Sequence, residues 1–455
     1  MGQLADDVAT SPEWKSLITS QVLISLALIC MVFLTVRAAL QVVGSTICPV
    51  GFPPGPKPLP LLGNITAFSC KNPHIGMQEL AKKYGEVCTI MLGSTPVVLV
   101  SGYQAVKEVL VNRGHEFADR PITPIFTKLT NNIGIALAPY GDAWKQQRRF
   151  ALSTLRNFGF GKATIADKIL IEATYLIETF KQETSAFDPH LNLNNAVGNI
   201  ICSLLNGIRY DYNDEQFQKL THIVDNLVQL QAEPLIDKEK DNPNRSFTDQ
   251  TLILILMELF IGGMETTSNT LRWGLLFMMM NPDIQARCHE EIDRVVGSER
   301  PPCMKDRRSL PYLNAVIHEI QRFGNILPFG ILHPTSKDVQ FNEYLFPKGT
   351  HVMVNLMSAF YDDIHWKTPH KFNPDHFLDK DGQCIKSDAF LPFPAGPRVC
   401  LGESLAKMEL FLFFTSLLQH FEFYWPNSIS PPTLAAKFST TLSPHPYKLG
   451  LRIRN

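Results

Sequence analysis

The longest uncharged stretch lies near the start of the chain. Ser16 to Val36 carries no charge, and Val22 to Val36 is almost continuous hydrocarbon, long enough for a helix to cross a bilayer. Asp6, Asp7 and Glu13 precede the run and Arg37 follows it. A cleaved leader would carry a basic start and a small-residue cleavage site instead. The pattern predicts an uncleaved signal anchor within residues 1–50, transmembrane over about 16–36, with the remainder on the cytosolic side where Arg37 and Lys57 lie. Five prolines between Phe52 and Pro60 then forbid a helix and predict a stiff, extended hinge over 51–60. Beyond the hinge the periodicity becomes that of a folded domain. Val87–Leu92 and Val97–Val100 are β-rich runs on either side of Gly93-Ser94, which predicts a hairpin in a small sheet. Pro311 followed by Leu313, Val316, Ile317 and Ile320 gives the stripe of an amphipathic helix. Leu252 to Met280 is apolar on nearly every side until Asn281-Pro282 stops it, so this helix should run through the middle of the protein. No repeat, low-complexity tract or flexible linker divides residues 61–455, and the fold class is mainly α with a small β part in one large domain.

Composition removes several function classes. With 45% apolar residues, 19% charged, and 42 Lys+Arg against 43 Asp+Glu, the 455-residue chain can bury a large core. It lacks the basic footprint of a nucleic-acid binder. Nine cysteines without a C-x-x-C fit neither a disulfide framework nor a structural zinc site, and are those of a chain facing a reducing compartment.

The chemistry concentrates in Phe393-Pro394-Ala395-Gly396-Pro397-Arg398-Val399-Cys400-Leu401-Gly402, which runs into the helix-forming Glu403-Ser404-Leu405-Ala406-Lys407. A glycine-bent loop delivers one cysteine to a helix N-terminus, where amide N–H groups and the helix dipole favour the thiolate. Arg398 adds positive charge, and Gly396 and Gly402 leave room for a flat ligand. Such a thiolate is a soft ligand suited to iron. Glu319 and Arg322 are i, i+3 neighbours on the polar side of their helix and, by spacing alone, form a solvent-exposed pair. Gly262-Gly263 ahead of Thr266 removes bulk and offers a hydroxyl to a backbone carbonyl, so the helix can open beside a ligand.

The cysteine loop resembles the haem-binding signature of the cytochrome P450 monooxygenases, and the likeness covers nearly the whole chain. Glu319-Ile320-Gln321-Arg322 is similar to the family's E-x-x-R, and Phe372 to Phe377 to its aromatic-Pro-x-basic-Phe element. Gly262 to Thr267 resembles the oxygen-binding segment, and Trp144-Lys145-Gln146-Gln147-Arg148 the W-x-x-x-R facing the haem propionates. Anchor and hinge resemble those of microsomal members. Asn157 to Lys162, Asn194 to Val197 and Asn373 to Leu378 look most like family two, nearest its fatty-acid-epoxidising J branch.

The resemblance implies a haem cofactor with Cys400 as axial iron ligand in the loop built by Phe393, Gly396 and Gly402. It also implies that Trp144, Arg148, Arg398 and His333 meet the propionates, and that Glu319 and Arg322 form a buried ion pair. His376 stands where many members have an arginine that joins this pair. Thr266 would steady O2 and relay protons, with Glu265 as the acid feeding the relay. No G-x-G-x-x-G or flavin-type motif is present, so electrons must come from a separate NADPH-dependent flavoprotein reductase, met by Lys145, Arg149 and their neighbours. The expected setting is the endoplasmic reticulum membrane.

One departure stands out. Between Asp211 and Phe247 the chain is too short for the helices that roof the family's substrate pocket, a shortening placed around 215–245. The expected activity is insertion of one atom of O2 into hydrophobic substrates, fatty acids such as arachidonate or xenobiotics. Pocket candidates lie in Thr123–Leu137, the helix before Thr266, Leu327–Leu332 and Thr440–Ser443. Two alternatives remain: a haem-binding but catalytically impaired isoform lacking part of the roof, and a haem-thiolate isomerase that needs no reductase.

Overall fold

The computed structural model describes residues 25, 28–37, 48–67, 72–122, 127, 130–157, 159–160, 162–205, 207–221, 249–426 and 430–454. Most of the anchor and most of the shortened stretch therefore lie outside the described residues. Of the anchor, Leu28–Arg37 is helical. Its Leu28, Ile29, Met31, Val32, Phe33, Leu34 and Val36 are all exposed.

The expected hairpin forms from β1 (Val87–Leu92) and β2 (Thr95–Val100), with Gly93 at φ 60° in the turn. With β3 (His333–Pro334) and β4 (His351–Val354), the sheet order is β1-β2-β4-β3. β2 runs parallel to β4 with Val97 opposite His351, and β3 closes the far edge antiparallel. Residue alternation assigns the faces. Val98, Val100, Val352 and Val354 pack with Phe346 on one side, while Ile90, Val97 and Leu99 pack with Met77 and Leu80 on the other. Both faces are covered, which is why the strands read as continuous apolar runs.

Beside this sheet and three two-stranded ones, the longest helices among the described residues are α1 (Asp142–Asn157), α2 (Ala163–Lys181), α3 (His190–Leu205), α4 (Asp249–Met280), α5 (Pro282–Val295), α6 (Pro311–Gly324) and α7 (Glu403–His420). Prolines at the first positions of α5 and α6 fix φ where no amide partner exists, and Asn325, left-handed at φ 36°, ends α6. The main core joins α2, α3, α5, α6 and α7 around the second half of α4 through Leu271, Leu275, Phe277, Phe411, Phe413 and Phe414. The expectation that α4 is buried throughout holds only for that half. Leu252, Ile253 and Met257 are exposed, because α3, α6 and α7 wrap the helix only from about Phe260 onward.

Glu172 of α2 holds the turn that leaves α3. It is 2% exposed and accepts from Arg209 Nε at 2.8 Å, Tyr212 OH at 2.7 Å and Asn199 Nδ2 at 3.3 Å. The Arg209 guanidinium lies 3.4 Å from the Tyr175 ring centroid. Glu172→Ala would strand Arg209 and Tyr212, and should cost about 3 kcal/mol. The loss is read as a lowered Tm, with Glu172→Gln retaining part of the stability; an unchanged Tm would refute the hub.

Candidate functional site

The cysteine loop has the geometry its glycines allow. Gly396 sits at φ 76°, and a Cβ there would lie 1.7 Å from the Leu110 carbonyl oxygen, so both conformation and space demand glycine. Cys400 N–H donates to Phe393 O at 3.1 Å, closing the loop, and Gly402 N-caps α7. The Lys407 ammonium lies 5.4 Å from the Phe393 ring centroid. The Cys400 thiol reaches solvent, yet enough protein surrounds it that burial pushes its pKa up. Opposing that rise are the amides of Gly402 and Glu403 and the charge of Arg148, while the Glu403 carboxylate adds to it.

The charge beside the thiol is thus that of Arg148 and not, as expected, Arg398. Arg148 Nη2 donates to Val399 O at 2.5 Å, next to Cys400 in the chain. Arg398 is spent elsewhere: it donates to the carbonyls of Ala118 at 2.8 Å, Ile135 at 3.0 Å and Ala138 at 2.7 Å, and lies 4.1 Å from the Trp144 ring centroid. Trp144 is buried and its Nε1–H also donates to Ile135 O, at 2.9 Å.

Sequence reasoning missed Arg120. It is buried, donates from Nε to Ala136 O at 3.0 Å and from Nη1 to Leu332 O at 3.2 Å, and approaches the His333 ring at 3.3 Å. His333 Nδ1–H donates to Phe117 O at 2.7 Å, and burial and Arg120 push the ring's pKa down to about 3, which keeps it neutral. Burial, with the charge of Arg398, lowers Arg120 to about 9, and burial lowers Arg398 to about 10. The opposing groups are Asp119 for Arg120, and Asp119, Tyr140 and Glu258 for Arg398. No periodicity marks an arginine in a loop ahead of Pro121, and only its neighbours in space give Arg120 meaning.

Glu258 was missed too, although its spacing signals it. Glu258, Gly262 and Thr266 follow at i, i+4 and i+8 on one face of α4. The Glu258 carboxylate accepts the amides of Ile135 at 2.7 Å and Ala136 at 3.2 Å. Burial raises its pKa and these amides lower it. Leu259 and Leu401 pack on Ile135, Ala151 and Ile255, which brings α4, the cysteine loop and the 135–138 segment together. The two glycines divide their tasks. A Cβ on Gly262 would meet open space, whereas one on Gly263 would lie 2.5 Å from Ile201 Cδ1.

Thr266 Oγ1 donates to Gly262 O at 2.7 Å, the back-bond its spacing predicts. Glu265 is turned away from it: its Oε1 accepts from Asn269 Nδ2 at 2.7 Å and Thr441 Oγ1 at 3.1 Å, and no hydrogen bond joins it to Thr266. Glu319 and Arg322 are fully buried, joined at 2.7 Å through both Nε and Nη2, as the resemblance and not the spacing implied. Arg322 also donates to the carbonyls of Phe360, Pro369 and Lys371. Glu319 accepts the Asn373 amide at 2.8 Å and His376 Nδ1 at 3.3 Å, so histidine keeps the third contact.

An accessible thiol inside the protein, buried guanidinium groups short of carboxylates, and a helix face opened by Gly262 fit a flat, dianionic, iron-bearing ligand. These are the features that a haem-thiolate protein requires. Residues 53–237 and 230–451 match the cytochrome P450 family. Cytochrome P450 2D6 of Homo sapiens is 40% identical over 460 residues, covering 88% of this chain and 93% of its own. Cytochrome P450 2D26 of Rattus norvegicus is 39% identical over 88% and 92%, and 2D10 of Mus musculus 40% identical over 88% and 91%. The chain belongs to the cytochrome P450 family and is a haem-dependent monooxygenase. The expected nearness to the J branch is corrected, since these relatives are of the 2D type.

Cutting the Glu319 to Arg322 pair leaves a buried charge without a partner, which costs about 3–5 kcal/mol. Glu319→Gln should therefore give protein without haem and with a lowered Tm. Recovery of haem-loaded protein at normal yield would overturn this.

Proposed function

We propose that the protein is a membrane-anchored P450 that inserts one atom of O2 into hydrophobic small molecules and reduces the other to water. Its electrons come from an NADPH-dependent flavoprotein reductase. The observation that carries the reading is Cys400, accessible within the protein, at the N-terminus of α7 and beside Arg148. Cys400 would ligate the haem iron, and Arg120, Arg148, Arg398 and Trp144 would hold the propionates. An anion among these guanidinium groups is also what would let His333 carry a proton. When bound, the haem supplies the iron that binds and activates O2.

The chain's own residues do the rest. Thr266, freed from Gly262 O, turns its hydroxyl toward the opening that Gly262 leaves, to hold O2 and pass a proton. Glu265, fixed by Asn269 and Thr441, is the nearby acid, reaching the opening through water. The exposed apolar helix Leu28–Arg37 supports the anchor, and with it placement on the endoplasmic reticulum membrane. A shortened roof is supported by two facts. The family match divides near residues 230–237, and 460 aligned positions take in only 88% of this chain, leaving some tens of positions without a residue here. Exposed Leu252, Ile253 and Met257 favour a pocket more open to water than a roofed one. Open access suits bulky xenobiotics better than a selected fatty acid.

The carbon monoxide difference spectrum of the reduced, membrane-expressed protein tests the ligand. A strongly red-shifted Soret band lost in Cys400→Ser is the expected result. A shorter-wavelength band, or none, would transfer the reading to the impaired isoform. Thr266→Ala should raise the peroxide released per NADPH consumed several-fold, because a positioned proton donor is lost; unchanged coupling would remove Thr266 from the relay.

A further inference from the structure

Three threonines stand on the oxygen-side stretch of α4. Thr266 and Thr270 donate to carbonyls four residues back, at 2.7 and 2.8 Å. Thr267 does not: its hydroxyl crosses to α7 and donates to Glu409 Oε2 at 3.1 Å. Glu409 is 1% exposed, and its other oxygen, Oε1, has no partner. The bond joins the helix bearing Gly262 and Thr266 to the helix that starts just behind Cys400.

We propose that Glu409 is a positioning residue for oxygen activation: as the neutral acid it draws Thr267 out of its own helix and sets the Gly262–Thr267 turn in register with the helix behind Cys400. The proposal rests on the haem-thiolate reading above.

A buried carboxylate needs several donors, and Glu409 has one. Burial accordingly pushes its pKa up to about 8, with Thr267 opposing the rise. The charged groups on the surrounding helices have other partners. On α4, Glu265 binds Asn269 and Thr441, and Arg272 binds Asn269 and Pro444 O. On α6, Glu319 and Arg322 hold each other and His318 faces Cys384; on α5, Glu291 caps the amides of Tyr312 and Leu313; on α2, Glu172 holds Arg209. None of these charges contributes to the shift of Glu409.

Two measurements on the haem-loaded protein test this. The first needs no turnover. An acid whose folded pKa lies above its unfolded value binds more protons folded than unfolded, so its contribution to stability falls as pH rises from the unfolded pKa to the folded one. Glu409→Gln cannot titrate. Its Tm relative to wild type should rise by several degrees between pH 5 and pH 8 and level off above. A pH-independent difference would overturn the neutral acid. The second measurement is coupling with reductase at pH 7. Thr267→Val and Glu409→Met should each release several-fold more peroxide per NADPH and lose the red-shifted carbon monoxide band faster, the double variant being no worse than either single one. Glu409→Gln, which keeps the acceptor, should couple like wild type. Additive losses, or a Glu409→Gln as uncoupled as Glu409→Met, would overturn the positioning role. A wild type without the red-shifted band would instead refute the haem-thiolate reading, and the pH dependence of Tm would still report on Glu409.

Discussion

A buried guanidinium must find acceptors for its donors and a counter-charge for itself, and these are separate needs. Around Cys400 the first is met and the second only in part, by Asp119 and Glu258. Arg398 spends its donors on three backbone carbonyls, those of Ala118, Ile135 and Ala138, and Arg120 on those of Ala136 and Leu332. Carbonyl oxygens orient the cations without neutralising them. The segment between them is gripped from both sides: Ile135 gives its carbonyl to Arg398 and Trp144, and its amide to Glu258 on α4. Loop, central helix and α1 are thus positioned by groups whose charge is incomplete until an anion joins them. If the haem propionates are that anion, as proposed, haem loading is coupled to the order of the whole site.

The donor count differs sharply between two buried acids. Glu319, with no exposure at all, receives two donors from Arg322, the Asn373 amide and His376 Nδ1. Glu409 receives a single hydroxyl and must keep its proton. Both acids lie in the same core, and both tie distant segments, but by different physics. The pair at Glu319 fixes geometry through charge, reaching through Arg322 to the carbonyls of Phe360, Pro369 and Lys371. The bond at Glu409 fixes it through shape and a neutral hydrogen bond.

Whatever is local in the chain was legible from it. The hairpin about Gly93, the helix begun by Pro311 and the glycine-bent cysteine loop all follow from turn and helix chemistry within about ten residues. What failed depended on residues far apart. Arg398 was expected beside the thiol, but its donors reach Ala118, 280 positions away, and Arg148 from another helix takes that place. Spacing alone made Glu319 and Arg322 a surface pair, because helical periodicity cannot show that residues 360–373 fold over the polar side of α6. Similarly, the apolar run of α4 reads as buried throughout, while its first half lies outside the wrap of α3, α6 and α7.

The branch of the family was misread for a reason of the same kind. Two of the three stretches that pointed to the J branch are scaffold. Asn194, Asn195, Ala196 and Val197 are all buried in α3, and Pro374 and Phe377 are buried beneath α6 beside the Glu319 clamp. Such positions answer to packing volume and to partners such as His376, and every branch that builds the same clamp faces the same demand. In the proposed function, substrate discrimination would fall to side chains lining the open side of α4 and the segments facing it, where a Cβ on Gly262 would meet empty space and Leu252, Ile253 and Met257 stay exposed. Residues that hold the cofactor are fixed by charge and close contact, so they announce the reaction. Those that choose the substrate are fixed by neither, and resemblance in the core carries no information about them.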